Sequence, residues 1–139
     1  MCYGAKNNDF GKFLTTKRGL LMGIRMKHVN GYLSCVPSAP YSRWGCGNAI
    51  STEITDKRGN VIFPDLKKVP RNKYHQFIIP GYDGETSEFL TFVEFENPIH
   101  VEKGTELNIW YAEDLRDLWE IDNSGRHCVD VYTKIDYQY

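Results

Sequence analysis

Nothing in this sequence approaches the ~20 consecutive apolar residues that a membrane-spanning helix requires. The longest run, Leu20 to Ile24, contains Gly23 and is followed by Arg25, so no membrane insertion is expected. An excess of charge of one sign is missing too. Seventeen Lys and Arg stand against eighteen Asp and Glu, for a net charge of -1, and no overall field recruits nucleic acid or anionic lipid. The histidines His28, His75, His100 and His127 form no i, i+4 pair and no H-E-x-x-H motif, and no serine sits in a G-x-S-x-G elbow. Metalloprotease and serine-hydrolase chemistry therefore lack their anchors. Cys2, Cys35, Cys46 and Cys128 show no C-x-x-C spacing, which argues against a zinc knuckle or a thioredoxin-like pair. Met1-Cys2-Tyr3 has neither a basic nor an apolar leader region, which leaves a mature secreted domain behind a Met, or a cytosolic protein. There is no N-x-S/T sequon: Asn97 precedes Pro98, and Asn30, Asn48, Asn60, Asn108 and Asn123 lack Ser or Thr two places on. Repeats, low-complexity tracts and linkers are absent as well, so the 139 residues read as one domain, 1–139.

What is present is the composition of a globular protein, 41% hydrophobic and 25% charged. Nine Tyr, seven Phe and three Trp exceed what a core of this size needs. Aromatics favour strands, and several are expected at the surface. An even number of cysteines suits two disulfides, with four buried thiols as the bland alternative. Cys35 with Cys46 and Cys2 with Cys128 is the preferred pairing of the three possible, and Cys2 joining two chains is the alternative.

The chain reads as all-β. Leu20, Met22, Ile24 and Met26 alternate with Gly23, Arg25 and Lys27, the period of a strand with one buried face. Asn30-Gly31 then predicts a hairpin turn, with Tyr32 to Val36 as the return strand. Residues 37–48 lack a usable period and read as a loop. Ile50, Thr52 and Ile54 lead to a turn at Asp56 to Asn60, and Val61-Ile62-Phe63 returns from it. Tyr74 to Ile79, Glu88 to Phe95, Ile99 to Val101, Thr105 to Ala112 and Cys128 to Thr133 supply further strands. About nine short strands at this spacing predict an antiparallel β-sandwich, jelly-roll-like. Only Glu113 to Glu120, with Leu115, Leu118 and Trp119 at helical spacing, suggests a turn of helix.

Two constellations carry chemistry. Glu113, Asp114, Asp117, Glu120 and Asp122 crowd five carboxylates into ten residues with Arg116 alone among them, and Asn123 follows. Such crowding costs stability unless a positive charge offsets it. Ca²⁺ takes six to eight oxygen ligands from flexible, irregular loops, and these residues supply the right donors, although the order is not that of an EF-hand. A solvated acidic loop with Arg116 as counter-charge is the competing reading. The second constellation is Tyr41-Ser42-Arg43-Trp44 in a loop that Cys35 and Cys46 can close. An aromatic face packs on the apolar face of a sugar while Arg donates to its hydroxyls. Against this stands Trp44 as a plug at one end of the sandwich. Paired carboxylates for glycoside hydrolysis are disfavoured, because acids bunched on one loop do not flank a cleft.

Taken jointly, Gly23-Ile24-Arg25, Gly31 to Cys35, Tyr41 to Cys46, Ile79 to Tyr82, Asn97-Pro98-Ile99, Ile109-Trp110-Tyr111-x-Glu113-Asp114-Leu115, Asp122-Asn123-x-Gly125 and Cys128-x-Asp130-Val131-Tyr132 resemble secreted cnidarian proteins of the calcium-dependent, galactose-binding lectin type found in sea anemones. The resemblance implies a β-sandwich lectin, a homodimer, secretion, and a Ca²⁺ ion bridging protein to galactose hydroxyls. It matches Glu113, Asp114, Asp117, Glu120, Asp122 and Asn123 to the metal loop and Tyr41, Arg43 and Trp44 to the sugar loop. Leu118-Trp119 departs from the family's more polar stretch, which makes Trp119 a further stacking residue. The expected function is non-enzymatic, a lectin for terminal galactosides. The alternative is an extracellular adhesion or matrix module with structural calcium and a protein partner.

Overall fold

The structure is a computed structural model that describes residues 1–38, 41–116 and 123–136. Its elements run β1 (Cys2–Gly4), β2 (Gly11–Leu14), β3 (Gly19–Ser34), β4 (Gly45–Cys46), β5 (Ala49–Ile50), β6 (Thr52–Asp56), β7 (Val61–Phe63), β8 (Phe89–Val93), β9 (Ile99–Val101), β10 (Glu106–Tyr111), α1 (Ala112–Leu115) and β11 (Ser124–Asp136). One sheet has the order β1-β11-β3-β8, with β9 also paired to β3, and the other has the order β2-β10-β6-β7. A small ribbon joins β4 to β5. Every named pairing is antiparallel. The expected all-β, antiparallel sandwich is therefore what the chain forms.

The two sheets share one core. Leu21, Ile24, Met26, Leu90, Phe92 and Val129 from the first join Ile54, Phe63, Leu107 and Ile109 from the second in a single buried cluster. Phe63 of β7 stacks in parallel on Phe92 of β8 at 6.1 Å between ring centres. Asp56 forms the predicted turn between β6 and β7: one carboxylate oxygen accepts the N–H of Arg58 at 2.8 Å and of Asn60 at 3.0 Å. That arrangement closes the turn because an Asp side chain can stand in for a backbone acceptor.

Three sequence expectations are corrected. Asn30-Gly31 is not a hairpin, since β3 runs unbroken for 16 residues. Cys128 pairs with Asn30 and Val129 with His28, and Lys134 pairs with Gly23 and Ile135 with Leu21. Val29 and Met22 are thus extra residues, and each bulge shifts the inward-facing phase by one. Leu21, Ile24, Met26 and Leu33 all face the core, at odd intervals across each bulge, Leu21 to Ile24 and Met26 to Leu33, whereas Leu20 and Met22 are only half-buried. Gly31 adopts φ +82°, and a Cβ there would sit 2.2 Å from the Arg126 carbonyl oxygen, so its glycine serves the close approach of β11 and not a turn. Tyr74 to Ile79 is not a strand either. His75 takes φ +63°, the Asn72 side chain accepts the N–H groups of Tyr74 and Gln76, and only Phe77 bridges to Ile50. Finally, the loop assigned to 37–48 contains β4, and β1 and β2 lie in a segment where no strand was expected.

Both cysteine pairs follow the preferred pairing. Cys2–Cys128 joins residues directly opposite each other on β1 and β11, and Cys35–Cys46 closes the loop after β3. Cys2 is therefore committed within the chain.

Candidate functional site

Strand register gathers three connections at one end of the sandwich. Ser34 lies opposite Ser124, Tyr111 opposite Thr52, and Gly4 opposite Arg126. The segments that leave β3, β10 and β1 consequently emerge together. Ala112 donates its N–H to the Ser51 carbonyl at 2.7 Å, tying α1 to the β5–β6 link. The two constellations picked from the sequence thus lie at the same end.

In the acidic segment the described members have separate fates. Asp114, fully buried, accepts the N–H of Asn8 at 2.9 Å and of Asp9 at 3.0 Å on its two oxygens. It fixes the turn between β1 and β2. Glu113 is 3% exposed and Asn123 is 1% exposed. Asn123 donates to the Ala5 carbonyl at 3.0 Å, yet among the described residues its Oδ1 and the Glu113 Oε1, both buried, have no hydrogen-bond partner. Burial pushes the Glu113 carboxyl up to about 7, against a smaller pull downward from its hydrogen bond with Asn123. Two orphaned acceptors in one place are costly and call for a donor or a cation. Arg116 is not that cation. Its Nη1 donates to Glu53 Oε2 and to the Ala112 carbonyl, at 3.0 and 3.1 Å. Glu53, fully buried on β6, takes Arg71 on its other oxygen at 3.0 Å. Asp117, Trp119, Glu120 and Asp122 lie outside the described residues. Among the described residues, no group of three His, Cys, Asp or Glu side chains is gathered for a metal.

In the aromatic loop, Trp44 is fully buried. Its Nε1 donates to the Ser87 carbonyl at 2.6 Å, and His127 packs edge-on against it at 4.7 Å. It plugs the end of the sandwich and presents no face to a ligand, which corrects its assignment as a stacking residue. Tyr41 is 68% exposed and meets the half-exposed Tyr32 edge-to-face at 5.5 Å. Arg43 donates to the Thr86 carbonyl at 3.0 Å. Tyr32, Tyr41, Arg43, Glu85 and Thr86 together line an open cleft of about 440 Å³, within the range of small-ligand sites. Tyr32, Glu85 and Thr86 escaped the sequence reading. Tyr32 falls in the expected return strand, and Glu85 and Thr86 fall between the strands expected at Tyr74 to Ile79 and Glu88 to Phe95; an unpaired acid beside an aromatic loop leaves no periodic signal.

Beneath this cleft runs a chain of polar groups. Thr52 Oγ1 donates to the Trp44 carbonyl at 2.9 Å, so it must accept from the Tyr3 hydroxyl at 2.6 Å. With that proton spent, the Tyr3 oxygen accepts from His127 Nδ1 at 3.1 Å. His127 Nε2 then accepts from His28 Nδ1 at 2.8 Å. His127, Tyr3 and Thr52 each donate once and accept once, which requires His127 to be neutral. Burial, followed by the charges of His28 and Arg43, holds its pKa down at about 3. Burial lowers His28 as well, with Arg43 acting in the same direction and Glu88 against.

An antiparallel sandwich with an aromatic–guanidinium cleft and an unsatisfied carboxylate at one end defines a ligand-binding module. No family model and no curated protein matches the chain. Among solved structures the chain is similar to AJLec, a lectin from the sea anemone Anthopleura japonica, with a TM-score of 0.86 and 28% identity. The likeness covers 97% of this chain and 92% of that one. The sea-anemone lectin-like fold is thereby supported.

Proposed function

We propose that this protein is a carbohydrate-binding lectin that uses Ca²⁺ to engage terminal galactose or galactosides. The observation that carries the lectin reading is the likeness to AJLec over nearly the whole of both chains. Calcium and galactose follow from the sequence resemblance. The metal gains support from Glu113 Oε1 and Asn123 Oδ1, buried oxygen acceptors without a partner among the described residues and of the kind a hard cation takes. Asp117, Glu120 and Asp122 would supply further oxygens, while Asp114 holds the neighbouring turn in place. A calcium ion bound there would exchange coordinated waters for two adjacent sugar hydroxyls. Trp119 is a stacking residue for that sugar in this reading, while at the same end Tyr41 offers an exposed ring for the apolar face of a pyranose and Arg43 offers donors.

Binding without turnover is the proposed activity. Two disulfides suit an oxidising, extracellular compartment, and no helix among the described residues is long and apolar enough to cross a membrane. A homodimer would raise the avidity of a weak single site. A second reading, an adhesion or matrix module with structural calcium, draws on the apolar groove of about 390 Å³ lined in part by Phe63, Val69, Ile79 and Phe92. Thermal unfolding separates the two. Calcium is expected to raise the melting temperature under both, because a ligand that binds only the folded state stabilises it. Lactose added on top of calcium raises it further only for the lectin, so a null effect of lactose and galactose, together with no glycan-array signal, overturns the proposal.

A further inference from the structure

The Tyr32–Tyr41–Arg43–Glu85–Thr86 cleft contains none of the described residues of the acidic segment, Glu113, Asp114 and Asn123. Among the described residues, Arg43 and Glu85 form no ion pair, although both line it. Arg43 spends a single side-chain N–H on the Thr86 carbonyl, and no group of the described protein donates to the Glu85 carboxylate. A free fork of donors therefore stands in one cleft with a free pair of acceptors.

The walls are fixed before any ligand arrives. Gly84 accepts from the Trp44 N–H at 2.7 Å and from Ser42 Oγ at 3.0 Å, and donates to the Asn48 carbonyl at 2.9 Å. Trp44 Nε1 holds the Ser87 carbonyl, and the Asp83 carboxylate accepts the Glu85 N–H at 2.8 Å. This close approach needs the glycine, since a Cβ at Gly84 would lie 2.2 Å from the Ala49 carbonyl oxygen. On the opposite side, Ser42 pairs with Leu33 as an isolated bridge to β3. Pre-organised polar groups lose little freedom on binding, and that is where modest clefts gain affinity.

We infer that this cleft is a saccharide subsite in its own right, one that takes a neutral pyranose without a cation. The Tyr41 ring covers the apolar C–H face of the sugar. Glu85 accepts two hydroxyl protons, and the remaining Arg43 N–H groups donate to ring or hydroxyl oxygens. Neutrality follows from the charges, because Glu85 repels an anionic sugar and Arg43 a cationic one. The inference rests on the saccharide-binding reading above, and not on the calcium site.

The test is a glycan array run in calcium and again in EGTA, followed by calorimetry of the strongest neutral glycan in EGTA. Wild-type protein is compared with Tyr41→Ala and Glu85→Gln. Both side chains are exposed, so unchanged melting temperatures are expected. Each substitution is expected to weaken binding by about 10- to 100-fold, the value of a hydrogen bond to a charged group or of a lost stacking face. Loss of all wild-type binding in EGTA, or variants within about twofold of wild type, overturns the subsite. Binding in calcium would still uphold the lectin reading in that case, whereas no glycan bound in either buffer overturns both.

Discussion

Glu113→Gln tests the reasoning about the acidic segment most directly, because the substitution removes a charge and keeps the shape. In the folded chain the Glu113 carboxyl is pushed up to about 7 from 4.5, principally by burial. The folded state therefore binds this proton more tightly than the unfolded state does, and keeping the group ionised costs stability above pH 7. A shift of that size is worth about 3 kcal/mol once the group is fully ionised. As pH falls through 7 towards 4.5 the cost disappears, shrinking to about 1 kcal/mol by pH 5. In EGTA, Glu113→Gln is thus expected to be more stable than wild type by up to about 3 kcal/mol at pH 8 and by only about 1 kcal/mol at pH 5. Urea unfolding at the two pH values, followed by tryptophan fluorescence, measures both differences. In calcium the order reverses: wild type gains stability from the ion, and Glu113→Gln is expected to gain little. A variant that is less stable than wild type at pH 8 in EGTA would show that Glu113 is favourably paired, and the case for a cation at that carboxylate would fall.

Other outcomes follow from the same physics. His127 is held neutral with a pKa of about 3, so the folded state binds fewer protons below pH 6.5 and stability drops with acid, by about 2 kcal/mol at pH 5; this is best read in Glu113→Gln, where no opposing carboxyl titrates, and a flat urea midpoint between pH 7 and 5 would contradict it. Glu53→Gln leaves Arg71 and Arg116 without their shared carboxylate and should cost about 3 kcal/mol or more, with Arg116→Ala in the same background costing little extra; additive losses in that double-mutant cycle would show that the pair is not coupled. Chain-entropy reasoning values Cys2–Cys128, 126 residues apart, at about 5 kcal/mol and Cys35–Cys46, 11 apart, at about 3, so a larger loss from the Cys35→Ser/Cys46→Ser pair than from Cys2→Ser/Cys128→Ser would mean that the short loop contributes through contacts instead.

The sandwich was legible in the sequence because most strands keep one inward phase between turns, as β6, β8 and β10 do. β3 was misread for a definable reason. Its bulges at Met22 and Val29 shift the phase twice, and a period-2 search breaks at each shift, so Asn30-Gly31 took on the look of a turn. β4 and β5, two residues each, are too short to show any period. At the binding end, residue types pointed to the right segments but not to the right side chains. Trp44 and Tyr41 are three positions apart and both aromatic, yet one is fully buried and the other 68% exposed. What separates them is the Ser87 carbonyl waiting for the indole N–H, a contact made across 43 residues. Glu85 was invisible because its role depends on the hydrogen bonds that bring 84–87 alongside Ser42 to Trp44.

Three carboxylates are buried at or beside this end, and comparing them sharpens the case for a ligand. Glu53 has an Arg on each oxygen. Asp114 has a backbone N–H on each oxygen. Glu113, one residue away from Asp114, keeps an oxygen with nothing to accept from among the described residues, and Asn123 does the same. The fold does not lack donors here, since Arg116 is three residues along and already turned towards Glu53. A buried carboxylate bypassed by the nearest guanidinium brings the folded state no return of its own. Groups kept against the interest of stability cluster at binding sites, where a partner absent from the free chain completes them. On that argument Asn123→Leu, which removes the second orphan together with the amide's bond to the Ala5 carbonyl, should abolish the calcium-induced rise in melting temperature while leaving sugar binding at the Tyr41–Glu85 cleft in EGTA unchanged. Retention of the full calcium response in Asn123→Leu would refute the placement of the ion.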